Sequence, residues 1–133
     1  MHESKRDVSC INERYTVCMI KKLFKKFSHP IRGIMYALAH DAGFQFQIAL
    51  CTTVLGIFIY LFRPFTQTES LFLGAAYFLV LITELQNSSF EQALDKLHPE
   101  IHDAIKRSKD MAAGAVLLSG FFLLFVMITI VLT

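Results

Sequence analysis

Glu84, Asn87, Glu91 and Asp95 follow one another at steps of three, four and four residues. On a helix those steps bring all four side chains to one face. Carboxylates so close repel one another, so three of them beside an amide call for a compensating cation. Oxygen donors alone suit a hard ion such as Mg2+, which keeps coordination places for water and for phosphate oxygens. The chemistry this stripe could support is therefore phosphate chemistry around a metal ion. Glu84 taken singly reads as a side chain reaching from a helix end, and Asp95 as a cap; the stripe as a whole is what points to an ion.

Glu84 lies deepest in apolar sequence, and an ionisable residue at such depth is a functional candidate by default. Partial burial there makes it a usable general base. Lys106-Arg107-Ser108-Lys109-Asp110 stands ahead of the last apolar run. Lys106 and Arg107 read as a positive anchor at the membrane surface. Lys109, nearest the membrane, could meet a phosphate as a point charge. His98 and His102 have the spacing of a metal pair, but Pro99 interrupts a helix through them and no third soft ligand is near. A solvated loop is the expectation there. Neither GxxxxGK[ST] nor GxGxxG occurs, so a nucleotide must be held without a glycine-rich loop.

The elements that position these residues are apolar. Of 133 residues, 54% are hydrophobic and 18% charged, and the mean hydropathy is +0.48. The excess is gathered into three runs, at 44–62, 71–89 and 111–133. Each comes close to or exceeds the roughly 20 residues needed to cross the hydrocarbon of a bilayer. Small residues in the second (Gly74, Ala75, Ala76) and third (Ala112 to Ala115) permit close helix approach. Ahead of them, residues 21–40 alternate a basic face (Lys21, Lys22, Lys25, Lys26, Arg32) with an apolar one (Leu23, Phe24, Phe27, Ile31, Ile34, Met35, Leu38). That pattern predicts an amphipathic helix lying in the membrane interface, with Ser28-His29-Pro30 interrupting it. Residues 1–20 form a polar tail. The expected architecture is thus all-α and membrane-embedded, with a single domain over 21–133.

Twelve of the thirteen lysines and arginines lie before Asp41 or between Lys96 and Lys109. Three spans place both regions on one side, which should be the cytoplasm, with the amino terminus inside. The net charge of +2 gives no reason to expect nucleic acid. Cys10, Cys18 and Cys51 show no metal spacing and read as free thiols. The first residues carry charge and no apolar core, so no removable signal peptide is expected.

Glu84-Leu85-Gln86-Asn87-Ser88-Ser89-Phe90-Glu91, then Asp95, then Ser108-Lys109-Asp110, closely resembles the signature of the prokaryotic diacylglycerol kinase family, which includes the undecaprenol kinases. That signature is E-x-x-N-[ST]-x-x-E, an Asp at fixed distance, and [AS]-K-D before the last span. The likeness continues more weakly back to about Lys22. It implies an ATP- and Mg2+-dependent kinase acting as a homotrimeric helical bundle with sites between protomers. By motif position, Glu84 would be the general base and Asn87 its support. Glu91 would be a metal ligand, joined by Asp41 at the entrance to the first span. Lys109, Asp110, Glu100, His102 and Lys22 match nucleotide-contacting positions. Asp41 stands where the family usually has Glu, one methylene longer, and Gln45 where it often has a basic residue.

The expected reaction is ATP-dependent phosphorylation of a membrane lipid alcohol, with diacylglycerol to phosphatidic acid ahead of undecaprenol. The alternatives are a non-enzymatic three-span assembly subunit, whose acidic stripe pairs with a basic partner, and a small ion-coupled transporter using Glu84 as a relay. The transporter needs water access from both sides, and the outer halves of the spans offer few polar groups.

Overall fold

The computed structural model describes Lys26, residues 28–97 and residues 102–132, nearly all of them helical. The chain forms two compact units, Met1–Tyr36 and Ala37–Thr133. Helix α1 covers residues 28–40, of which 28–36 belong to the first unit. There the Arg32 guanidinium lies 2.7 Å from His29 Nδ1, one turn earlier. The interruption expected at Ser28-His29-Pro30 is absent, since all three are helical. Proline removes one backbone donor, the one that would reach the Lys26 carbonyl, and leaves the later turns intact. Ile31, Ile34 and Met35 are exposed. The polar tail over 1–20, and Lys21, Lys22, Leu23, Phe24, Lys25 and Phe27, lie outside the described residues.

In the second unit Asp41 is the joint. Its N–H donates to the Ala37 carbonyl at 3.0 Å, closing α1. Its backbone is extended, and its side chain accepts from the Phe44 N–H at 2.9 Å to open α2, Ala42–Phe62. Aspartate suits this role because a short oxygen-bearing side chain satisfies an otherwise orphaned amide of the first turn. Gln45 reaches back and donates to the Leu38 carbonyl at 2.9 Å, serving one of the free acceptors at the end of α1.

Helix α2 stops at Arg63, which precedes Pro64 and is extended, as steric conflict with the proline ring requires. Helix α3, Gln67–Leu97, opens on a reciprocal cap. The Thr66 N–H donates to Glu69 Oε2 at 2.7 Å and the Glu69 N–H donates to Thr66 Oγ1 at 3.3 Å, the two-way arrangement expected of Thr-x-x-Glu. Helix α4, Asp103–Leu132, begins after His102. The His102 carbonyl accepts from Ile105 and Lys106, and its Nδ1 accepts from the Ala104 N–H at 3.2 Å. Asp103 adds negative charge to the first turn, where the helix dipole favours it.

The three long helices therefore extend beyond the apolar runs at 44–62, 71–89 and 111–133. The second continues to Leu97, about two turns past the end of its apolar run, and the third starts at Asp103, where His102 caps it. Lys106 to Asp110 consequently belong to a helix and not to a loop.

Helix α3 packs against both α2 and α4. Its buried residues, Leu73, Ala76, Val80, Glu84 and Ser88, form one stripe at helical spacing. The first three join Cys51 and Phe58 of α2 and Leu123, Val126 and Met127 of α4 in the core. Ala76 is fully buried, and its single methyl lets the neighbouring helices approach. The Thr52 and Tyr77 hydroxyls meet at 2.7 Å between α2 and α3, and those of Thr83 and Ser119 at 2.8 Å between α3 and α4. Cys51 is a free, buried thiol. The outward faces are apolar and exposed, with Tyr60, Leu71, Phe78, Leu118 and Phe125 among them. All three helices are long and apolar enough to cross a membrane. Such a surface would be an aggregation hazard in water and is suited to lipid. The chain is a multi-pass membrane protein.

Candidate functional site

The buried stripe of α3 changes character along its length. It is apolar as far as Val80, then continues as Glu84, 8% exposed, and Ser88, 4% exposed. Glu84 is thus not a surface glutamate bent inward; it occupies the next core position along. Asn87 and Glu91 are half-buried on the same face, and Gln92 and Asp95 are exposed. Polar groups leave the protein interior in order along one helix.

The start of α2 lies against this polar segment. Asp41 Oδ2 accepts from Gln92 Nε2 at 3.2 Å, while Oδ1 remains with the Phe44 amide. A Cβ added at Gly43 would lie 3.3 Å from Asp41 Oδ1 and 3.7 Å from Glu84 Oε1. Two carboxylates, one at the cap of α2 and one within α3, therefore face one gap, kept open by the missing side chain. The Phe44 amide holds the Asp41 carboxyl below its ordinary range, partial burial opposes this, and Gln92, Ser88 and the Gly43 amide add to it.

Glu91 Oε1 accepts from Asn87 Nδ2 at 3.4 Å. The other end of that amide, Asn87 Oδ1, is buried with no hydrogen-bond partner. An acceptor left so in a low-dielectric setting is costly and calls for a cation or a donor. Among the described residues no three His, Cys, Asp or Glu side chains converge tightly enough to enclose a metal ion. This all-oxygen set fits Mg2+, which takes one or two protein carboxylates and completes its shell with water and phosphate.

On the other flank, Asp95 forms an ion pair with Lys109 of α4. Lys109 therefore stands at the level of the acidic face, as its place before the last span predicts, but its partner within the chain is Asp95. Asp110, exposed, follows it on α4. His102 is placed as the cap of α4. Lys22 and Glu100, and with them His98, lie outside the described residues.

Four residues of this arrangement escape a search for charged groups. Ser88 and Gln92 repeat the Glu84 position at successive turns of α3, so helical spacing alone could have shown them. Gly43 carries no such signal, because its contribution is the absence of atoms. Ser119, buried in α4, is found only through its contact with Thr83.

Residues 28–131 match the family described as prokaryotic diacylglycerol kinase. The chain is 33% identical over 106 residues to a diacylglycerol kinase of Helicobacter pylori, covering 80% of this chain and 81% of that protein. A diacylglycerol kinase of Pseudomonas aeruginosa is 29% identical over 96 residues, with 72% and 76% covered. One of Escherichia coli is 26% identical over 98 residues, with 74% and 79% covered.

Proposed function

Because the chain belongs to the prokaryotic diacylglycerol kinase family and is a lipid kinase, we propose that it transfers the γ-phosphoryl group of ATP to diacylglycerol, forming phosphatidic acid and ADP. The observation that carries the site assignment is Glu84, a core position of α3 occupied by a carboxylate that shares a gap with Asp41. Substrate choice rests on the relatives from Helicobacter pylori, Pseudomonas aeruginosa and Escherichia coli, each a diacylglycerol kinase.

The lipid alcohol enters laterally from the bilayer. Glu84 accepts the hydroxyl proton as that oxygen bonds to the γ-phosphorus, and the bond from phosphorus to the ADP oxygen breaks. Asn87 steadies the reacting groups, and Glu91 and Asp41 supply the carboxylates for Mg2+. The ion, when bound, neutralises charge on the phosphates. Lys109 turns from Asp95 to a phosphate oxygen, where a point charge stabilises the transferring group. Asp110, His102, Glu100 and Lys22 hold the nucleotide. Phosphoryl transfer is mostly positioning and electrostatics, so this short set of residues suffices.

The remainder of the assembly follows the same reading. Residues 21–40 lie in the cytoplasmic interface of the inner membrane as an amphipathic helix, and three copies pack as a homotrimer that completes each site. The test is to incubate purified protein with labelled ATP and Mg2+ together with diacylglycerol, undecaprenol or no lipid. Label in phosphatidic acid is expected. Label in undecaprenyl phosphate alone would move the substrate, and no labelled lipid would overturn the reading.

A further inference from the structure

Asp41 is held by donors from two different elements. The Phe44 amide on Oδ1 is a local cap, three residues away. The Gln92 amide on Oδ2 comes from α3, 51 positions along the chain. The last side-chain torsion of aspartate is soft, so a carboxylate fixed at one oxygen alone swings about that bond. Fixing the second oxygen sets the plane of the group. The Gly43 gap makes this consequential, because Asp41 Oδ1 and Glu84 Oε1 border the same space with no side chain between them to keep them apart.

Gln92 has no other role visible at the site. It is exposed, uncharged and one helical turn beyond Ser88. We propose that Gln92 is a positioning residue, which fixes the plane of the Asp41 carboxylate beside Glu84 and so presents it to the metal–nucleotide. The proposal rests on the reading of the site as a magnesium-dependent kinase. Gln92 touches no reacting atom and acts through Asp41. Its bond to a charged acceptor is exposed to water, so the expected effect is modest, about three- to tenfold.

Two variants test it. Gln92→Leu keeps an uncharged, branched side chain one atom shorter and removes the donor. Gln92→Glu keeps the shape and sets a like charge against Asp41. Both should fold, as judged by helical circular dichroism and an unchanged elution volume. The Mg2+ concentration for half-maximal turnover should rise about three- to tenfold in Gln92→Leu and further in Gln92→Glu, with KM for the lipid unchanged. A second measurement needs no turnover: Mn2+ bound together with a non-hydrolysable ATP analogue, read by electron paramagnetic resonance. Binding should weaken in the same order.

Wild-type Mn2+ affinity in both variants would overturn the proposal, as would a loss confined to lipid KM. Failure of the wild-type protein to bind Mn2+ with nucleotide would overturn it as well. A wild-type protein that binds Mn2+ and nucleotide but phosphorylates no lipid would instead refute the lipid substrate, and the Mn2+ comparison would still decide the part played by Gln92.

Discussion

Asp41 and Glu84 border a common gap: a Cβ at position 43 would come 3.3 Å from an oxygen of the first and 3.7 Å from an oxygen of the second. One residue caps the first turn of α2, and the other sits in the buried stripe of α3. Their approach involves both the extended backbone at Asp41, ahead of α2, and a glycine two residues after the cap.

Gly43→Ala places a methyl in that gap. The nearer contact is tight enough to displace the Asp41 carboxylate by a few tenths of an ångström, and the expected result is a fall in kcat of about tenfold with the fold retained. Gly43→Leu, with a larger intrusion, should be close to inactive. Turnover in detergent micelles, set beside circular dichroism of each variant, measures both.

Lys109 and Asp95 separate stability from catalysis. The Asp95 side chain is 64% exposed and that of Lys109 30%, so their pairing contributes little to stability, about 0–1 kcal/mol. Asp95→Ala should leave the unfolding midpoint almost unchanged. Lys109→Met should raise KM for ATP and lower kcat by about 100-fold. Lys109→Arg should recover only part of that loss, because a planar fork does not replace a compact ammonium. Steady-state kinetics in ATP, alongside thermal unfolding, separates the two effects.

Asp41 has a consequence for acid stability. The Phe44 amide, chiefly, holds its carboxyl below the ordinary value of 3.8. A carboxyl lowered in the folded state contributes stability that is fully present above its ordinary value and is lost as pH falls through the lowered one. Asp41→Asn should therefore be less stable than the wild-type protein near neutral pH, and the gap should close only below about pH 4. Thermal unfolding of both proteins across that range measures it. At pH values used for assay Asp41 stays ionised, so the acid limb of the activity profile should not report its titration.

Much of this arrangement is legible in the residues themselves. Long apolar runs identify the three spans because lipid cannot satisfy polar groups, and the steps between Glu84, Asn87 and Glu91 identify one helical face. What periodicity does not reveal is where the helices end. Helix α4 starts at Asp103 through a cap made by the His102 ring and carbonyl, eight residues ahead of the apolar run, and this places the Lys106–Asp110 cluster on the helix. Pro30 proved compatible with helix because one lost donor does not break it. Gly43 was not legible as a site residue, because it acts by absence. Helical spacing puts Gln92 on the Glu84 face, but its bond to Asp41 is known only once the fold brings α3 against the start of α2.

The family supplied the reaction, and the geometry supplies the residue on which the account depends. The most direct measurement compares wild-type protein with Glu84→Gln in transfer of labelled phosphate from ATP to diacylglycerol, with insertion and assembly monitored in parallel. The variant keeps the shape of a core position and removes the proton acceptor. The account predicts that lipid phosphorylation is abolished while the protein still inserts and assembles; full activity in Glu84→Gln would contradict it.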